Sequence, residues 1–199
     1  MDKSRRLRRT RLKIGVVAFF ALLALTFSTL AAAGHSQSFG STPMPRAPHN
    51  AALGARDGVI PDGETLSPFD VDQAAIANLE PELREAIQDA AVDAKSDGIE
   101  VVITSGWRSK AYQQQLLDEA VVTYGSLVEA RKWVNTPEKS THVSGEAVDV
   151  GFTDADYWLI QYGYEYGLCQ TYANEIWHFE LTVEPGTSCP APITDASTS

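Results

Sequence analysis

The chain has 199 residues, of which 44% are hydrophobic and 21% charged, and its formal net charge is −10. This length allows one domain, with or without appendages. Residues 1–33 carry seven basic side chains and one acidic one, so the remainder has a charge of −16. The negative charge of these residues argues against nucleic acid and anionic membrane surfaces as partners, and it is typical of a soluble extracytoplasmic enzyme.

The first 33 residues predict either an export signal or a membrane anchor. A basic cluster that ends at Lys13 is followed by an uncharged apolar run, 14–33. Ala31-Ala32-Ala33 offers a cleavage site for a signal peptidase. A run of about 20 residues is also long enough to span a bilayer. We favour an uncleaved anchor that contacts the membrane, and with either interpretation the positive-inside bias places the following residues outside the cytoplasm.

Composition divides the rest of the chain into a linker, a domain and a tail. Residues 34–60 are rich in Gly, Ser, Pro and Ala and predict a flexible linker. Residues 189–199 predict a disordered tail. The folded domain is then 61–188, which is long enough to bury one hydrophobic core.

Apolar spacing and punctuation by Pro, Ser and Gly predict helices mixed with short strands. In chain order we predict helices over 67–79 and 81–97, a strand over 100–104, helices over 109–123 and from 126, a strand over 147–152, a helix over 153–167 and a strand over 176–182. This order predicts an α+β domain in which helices pack around a small antiparallel sheet.

Cys169 and Cys189 are the only cysteines in the chain. In an exported protein an even pair favours a disulfide over two buried free thiols. Such a bond closes a loop of roughly 20 residues around the last predicted strand, and it contributes about 3 kcal/mol by loop entropy.

Two histidines fall in the predicted domain, and each has a carboxylate near it in sequence. His142 precedes Asp149 across a predicted turn, and His178 follows Glu175. Two imidazoles and two carboxylates are the set of ligands and base that a catalytic zinc ion needs for hydrolysis. Such residues also form structural hydrogen-bonded pairs, so residue chemistry alone leaves both roles open.

Strand alternation assigns the two carboxylates different positions. Asp149 shares a strand face with Ala147 and Gly151, whose small size leaves room beside a carboxylate that is costly to bury unpaired. Glu175 and His178 have opposite parity, so both reach one site only if Glu175 lies in the loop before the last strand. That position suits a general base that is not a metal ligand.

Three motifs occur in order over residues 65–185. They are Ser105-Gly106-Trp107-Arg108-Ser109 with Gln113 after it, the Ser-x-His-x-x-Gly-x-Ala-x-Asp stretch from Ser140 to Asp149, and Glu175-x-x-His178. Together they resemble the VanY-like D-alanyl-D-alanine carboxypeptidases, a zinc peptidase family that includes L,D-carboxypeptidases and D-Ala-D-Ala dipeptidases. The implied fold is the small α+β domain of the hedgehog and D,D-peptidase type, with zinc on one sheet face.

The resemblance also implies a role for each site residue. It implies one zinc ion with three protein ligands, which are His142, Asp149 and His178. Glu175 is implied as the general base. Arg108 is implied to stabilise the oxyanion or to hold the terminal carboxylate of the substrate. Gln113 and Ser140 match positions that contact the substrate peptide, although a solvent-facing position is equally compatible with the sequence.

The implied activity is removal of a C-terminal D-alanine from peptidoglycan stem peptides, by a D,D- or an L,D-carboxypeptidase. One alternative is a cell-wall endopeptidase or a D-Ala-D-Ala dipeptidase on the same scaffold. The other is a non-catalytic wall-binding domain with structural zinc. Structural zinc usually has four protein ligands, so the presence of Glu175 and Arg108 favours catalysis.

Overall fold

A computed structural model describes residues 52–198 of the chain. The predicted signal or anchor segment and most of the predicted linker lie outside these residues. Within the described range, no helix is both long enough and apolar enough to cross a membrane.

The described residues form six α-helices and four strands. The helices are α1 (Ala74–Ala77), α2 (Pro81–Ser96), α3 (Lys110–Tyr124), α4 (Leu127–Ala130), α5 (Thr141–Ser144) and α6 (Thr153–Tyr162). The strands are β1 (Val102–Ser105), β2 (Ala147–Gly151), β3 (Leu168–Gln170) and β4 (His178–Leu181). They make one antiparallel sheet in the order β1-β2-β4-β3, which confirms the predicted α+β class.

The sheet divides apolar from polar side chains by alternation. Val148 and Val150 of β2 and Phe179 of β4 are at most 2% exposed and belong to the main core cluster. The same cluster contains the apolar face of α2, which consists of Leu83, Ile87, Ala90, Ala91 and Ala94. Asp149 and His178 are paired across the strands and point to the opposite face, where the polar site lies.

Capping residues set the bounds of α3 as the sequence predicts. The Ser109 hydroxyl accepts a hydrogen bond from the Tyr112 amide at 3.1 Å and so satisfies a donor of the first turn. Gly125 ends the helix with a φ of +79°, which favours glycine. The helix therefore begins directly after the Ser-Gly-Trp-Arg-Ser motif and holds Gln113 one turn further on.

Four elements differ from prediction. The helix predicted over 67–79 is reduced to α1, because Leu66 pairs with Ile103 and turns follow it. The helix over 153–167 ends at Tyr162 and continues as a 3₁₀ helix, Gly163–Tyr166. Neither α5 nor β3 was predicted, because elements of three or four residues are too short to show a periodicity.

The folded region extends past both predicted limits. A 3₁₀ helix, Ala55–Asp57, lies inside the predicted linker, and Asp57 accepts hydrogen bonds from the Ser109 amide at 2.9 Å and hydroxyl at 3.0 Å. In the predicted tail, Ile193 forms a parallel bridge with Tyr172, and Ala196 is buried. These contacts use mainly backbone groups, which composition does not reveal.

The predicted disulfide is confirmed. Cys169 of β3 is bonded to Cys189, with 5.6 Å between the two Cα atoms. The bond joins the edge strand of the sheet to the start of the C-terminal residues. A small domain gains stability from such a cross-link because the unfolded chain loses conformational freedom.

Asp156 on α6 is a buried carboxylate that destabilises the fold at neutral pH. Among residues 52–198, no hydrogen-bond donor reaches its Oδ1 atom. Burial, with Asp154 and Asp149 nearby, raises the pKa of Asp156 to about 6. The folded state therefore binds this proton more tightly, so the contribution of Asp156 to stability is full below about pH 4 and is lost as the pH rises through its folded-state pKa.

We expect Asp156→Asn to raise the melting temperature at pH 7.5 by about 3 °C, or roughly 1 kcal/mol for a domain of this size. The gain should vanish at pH 4, where the aspartate of the folded protein is neutral, as the asparagine is. Thermal unfolding followed by circular dichroism at both pH values measures it, with Asp62→Asn as the control, because Asp62 is exposed and is not among the charges that raise the pKa of Asp156. An equal gain at pH 4 would show that the buried charge is not the cause.

Candidate active site

A tight turn brings His142 over the β2–β4 pair. His142 lies on α5, which ends at Gly145 with a φ of +83° before the chain enters β2. A Cβ atom on Gly145 would lie 2.5 Å from the Asn78 carbonyl oxygen, so a side chain has no room here. Glycine is thus required both by the backbone conformation and by the close approach of the loop before α2.

Three donor atoms converge at this point. His142 Nε2 lies 3.2 Å from His178 Nδ1, and Asp149 Oδ1 lies 3.0 Å from His178 Nδ1 and 3.3 Å from His142 Nε2. A tetrahedral metal with bonds of about 2.0–2.1 Å spaces its ligands about 3.3 Å apart. The three atoms therefore have the spacing of one face of a metal tetrahedron, and they form a buried group that can hold a metal ion.

The outer nitrogen of each histidine is held by an oxygen acceptor. His142 Nδ1 donates to the Gly106 carbonyl at 2.8 Å, and His178 Nε2 donates to Glu180 Oε1 at 2.9 Å. Thr141 Oγ1 donates to the same Glu180 oxygen at 3.0 Å. Because these acceptors place the ring protons outside, the inner nitrogens present lone pairs to the site, as in metal-binding histidines.

Arg108 lies next to the three metal-donor atoms, and three side chains fix its guanidinium. Its Nη2 lies 2.8 Å from Asp149 Oδ2, its Nε donates to Ser105 Oγ at 2.7 Å, and its Nη1 donates to Gln113 Oε1 at 3.1 Å. Burial raises the pKa of Asp149, but the two histidines and Arg108 outweigh it and hold that pKa well below its ordinary value. Asp149 is thus a carboxylate at any physiological pH.

Glu175 lies in the turn directly before β4, where strand parity predicts it. Its Oε2 is 4.0 Å from His178 Nδ1, beyond hydrogen-bond range. Its Oε1 is buried, and no donor of the described chain reaches it. Burial raises the pKa of Glu175 to about 7, with Asp149 adding to the rise and His178 and Arg108 opposing it. The Glu175 carboxylate therefore lies next to the three metal-donor atoms but is not one of them.

The two remaining predicted residues are also at the site. Gln113 is 1% exposed, and its Nε2 donates to the Asn135 carbonyl at 2.8 Å, which excludes the solvent-facing alternative. Ser140 is 8% exposed and precedes α5. Both line a cavity of 360 Å³ that also contains Arg108, Glu175 and the three donors. A larger cavity of 880 Å³ elsewhere contains none of the predicted site residues.

Several residues in or next to the cavity were missed by sequence reasoning. Strand parity groups Glu180 with His178, so the pattern held a signal for it. Tyr172, whose ring lies 4.8 Å from that of His178, and Asn135 come from loops with no such signal. Trp133 stacks on Tyr124 at 5.9 Å to form an aromatic wall.

Comparison with known proteins identifies the class to which this fold and site belong. The model of the VanY D-alanyl-D-alanine carboxypeptidase family matches residues 76–184, which is more than half of the chain. The chain therefore belongs to this family, which is a family of peptidases. The match covers α2 to β4 and thus all the predicted site residues.

Individual relatives support this assignment. A D-alanyl-D-alanine carboxypeptidase of Enterococcus faecalis is 27% identical over 139 residues, which are 56% of this chain and 52% of the relative. The chain thus spans about half the length of this curated relative.

Two solved structures share the fold. One is the vancomycin-resistance D,D-pentapeptidase VanY with Zn(II), at TM-score 0.50 and 24% identity over 59% of this chain and 77% of that one. The other is VanYB with D-alanine-D-alanine, at TM-score 0.51 and 24% identity over 61% and 80%.

Glu180 offers a test of the metal site without touching a donor atom. We expect Glu180→Ala to weaken zinc binding about 10- to 100-fold, because His178 loses the acceptor that orients its ring. Exposed Glu146→Ala, which removes a carboxylate next to β2, should leave the affinity unchanged. Competition with a chromophoric chelator measures both, and equal affinities for the two variants would contradict the proposed orientation of His178.

Proposed function

We propose that this protein is an extracytoplasmic zinc carboxypeptidase that removes a C-terminal D-alanine from peptidoglycan stem peptides. One observation carries the proposal: three metal donors, a buried carboxylate whose Oε1 receives no hydrogen bond from residues 52–198, and a fixed guanidinium share one 360 Å³ cavity. Family membership, the zinc ion in the VanY relative and the D-alanine-D-alanine in VanYB support it. The disulfide supports a location outside the cytoplasm.

We assign the metal site to one zinc ion held by His142, Asp149 and His178. Two imidazoles and one carboxylate leave a fourth position open, which is the pattern of catalytic rather than structural zinc. When bound, zinc supplies Lewis acidity that polarises a carbonyl and lowers the pKa of a water molecule. The hydrogen bonds from His142 to the Gly106 carbonyl and from His178 to Glu180 would hold both rings with their inner nitrogens towards the zinc ion.

Glu175 acts as the general base in this proposal. Its Oε1 has no donor among the described residues, so it is available to take a proton from the attacking water. A pKa of about 7 suits a group that must accept this proton and then donate it to the leaving amine. The carboxylate lies close to the metal donors, and the turn before β4 keeps it out of the ligand set.

Arg108 holds the terminal carboxylate of the substrate. A guanidinium has five N–H groups, and three of them donate to Ser105, Gln113 and Asp149. Within residues 52–198, two N–H groups therefore remain for the substrate, in a plane that the three protein contacts fix. Both polar atoms of Gln113 are already bonded, so we assign it the positioning of Arg108. Ser140 is left to contact the peptide.

Product analysis tests the activity. We expect the zinc-loaded protein to release free D-alanine from pentapeptide or tetrapeptide muropeptides, as detected by mass spectrometry. A pentapeptide substrate indicates D,D-cleavage, and a tetrapeptide indicates L,D-cleavage. Release of a dipeptide or cleavage of cross-links would instead support the alternative activities on this scaffold. No cleavage of any muropeptide with zinc bound would refute a peptidase function.

Substitution of Glu175 tests its role separately. We expect Glu175→Gln to lower kcat at least about 1,000-fold, because the amide cannot take the proton, while the zinc content stays at one ion per chain. Glu146→Gln is the matched control and should retain full activity. Substantial activity of Glu175→Gln with zinc bound would mean that another group is the base.

A further inference from the structure

The C-terminal residues 190–198, here called the strap, follow a path fixed at several points. The strap begins after Cys189, which is bonded to Cys169 on β3. The Ile193 amide donates to the Thr171 carbonyl at 3.0 Å, and the Ala173 amide donates to the Ile193 carbonyl at 2.8 Å. These two bonds run the strap alongside the loop that leads from β3 to Glu175.

The strap then reaches the active-site cavity. Asp195 Oδ1 accepts a hydrogen bond from the Ser197 amide at 2.9 Å and so stabilises the turn at Ala196. Ala196 is 4% exposed and lines the cavity together with Arg108 and Asn135. A segment whose composition predicts disorder is thus part of the cavity wall.

A series of buried hydrogen bonds connects the strap to the guanidinium of Arg108. Arg108 Nη1 donates to Gln113 Oε1 at 3.1 Å, and Gln113 Nε2 donates to the Asn135 carbonyl at 2.8 Å. Asn135 Nδ2 then donates to the Ala196 carbonyl at 3.1 Å. Losing a hydrogen bond between buried groups is costly. The positions of the strap and of Arg108 are therefore coupled.

We infer that the strap closes the cavity behind Arg108 and thereby restricts cleavage to a single residue that bears a free C-terminal carboxylate. This inference rests on the proposed peptidase function and adds its specificity. If Arg108 binds the carboxylate, the next atom of a longer peptide would have to pass through the wall formed by Asn135 and Ala196. An endopeptidase on this scaffold would need that end of the cavity open.

The strap also supports the base side of the site. Tyr172 pairs with Ile193 and packs its ring against His178, and the Glu175 amide donates to the Tyr172 carbonyl at 3.2 Å. Loosening the strap therefore affects both ends of the cavity. A change in substrate preference, rather than a loss of rate, is the result that separates a specificity role from simple support.

Two variants release the strap in different ways. Ile193→Pro removes the amide hydrogen that binds Thr171, and it keeps the length of the chain. Truncation after Cys189 removes the strap and keeps the disulfide. Ile193→Ala is the matched control, because it retains the amide and changes only a half-exposed side chain.

The substrates are N-acyl-D-alanyl-D-alanine and a tetrapeptide stem peptide, each also as its C-terminal amide and as a peptide extended by one residue. We expect the full chain to prefer the free carboxylate at least about 100-fold in kcat/KM, because the site is built to bind that group. Both released variants should narrow this ratio at least about 10-fold, with KM for the free carboxylate rising more than kcat falls. Ile193→Ala should keep the ratio of the full chain.

The outcomes separate the inference from the proposed function. If both released variants keep zinc, the disulfide and the full preference, the strap has no specificity role. If the unmodified protein cleaves none of the peptides, the peptidase function fails. In that case calorimetry measures the binding of the free acid and of the amide. An unchanged affinity ratio in the variants would overturn the specificity role of the strap. Should the truncated chain not fold, the ratio measured for Ile193→Pro decides between the two outcomes.

Discussion

The site depends on the carboxylate of Asp149, which binds partners through both of its oxygens. Oδ1 faces His142 and His178 at 3.3 and 3.0 Å, while Oδ2 lies 2.8 Å from Arg108 Nη2. A charge buried at this depth is costly unless it is paired and hydrogen-bonded. Because one side chain contacts both histidines and the guanidinium, it fixes the distance between the metal group and the residue proposed to hold the substrate.

The sheet supplies the rigidity that this arrangement needs. β2 and β4 pair Asp149 with His178, and their other face is the apolar core with Val148 and Phe179. Moving either strand by one residue would exchange the polar and apolar faces, so burial of the core also fixes the donors. The turn at Gly145 then brings the second histidine to the same point.

The cavity wall is built differently from the metal group. The three metal donors lie on the sheet and on α5, but the outer limits of the cavity come from loops and from the C-terminal strap. Loops tolerate change better than strands, so a scaffold of this kind can keep its metal-donor group while the wall around it varies. The disulfide at Cys189 holds the strap close to the domain and lowers the entropy lost when the strap packs.

The sequence alone determined the α+β class, the caps of α3 and the disulfide, and it singled out seven side chains that line one cavity. Strand alternation, capping residues and motif spacing are local, and they placed Glu175 before β4 rather than on it. Tertiary structure decided what depends on contacts distant in sequence. It shows that Gln113 is buried and that Glu180 and Tyr172 lie beside His178. It also shows that the C-terminal residues form part of the cavity wall. The C-terminal residues are held there through the backbone groups of Ile193 and Ala196, and backbone groups are the same in every residue but proline.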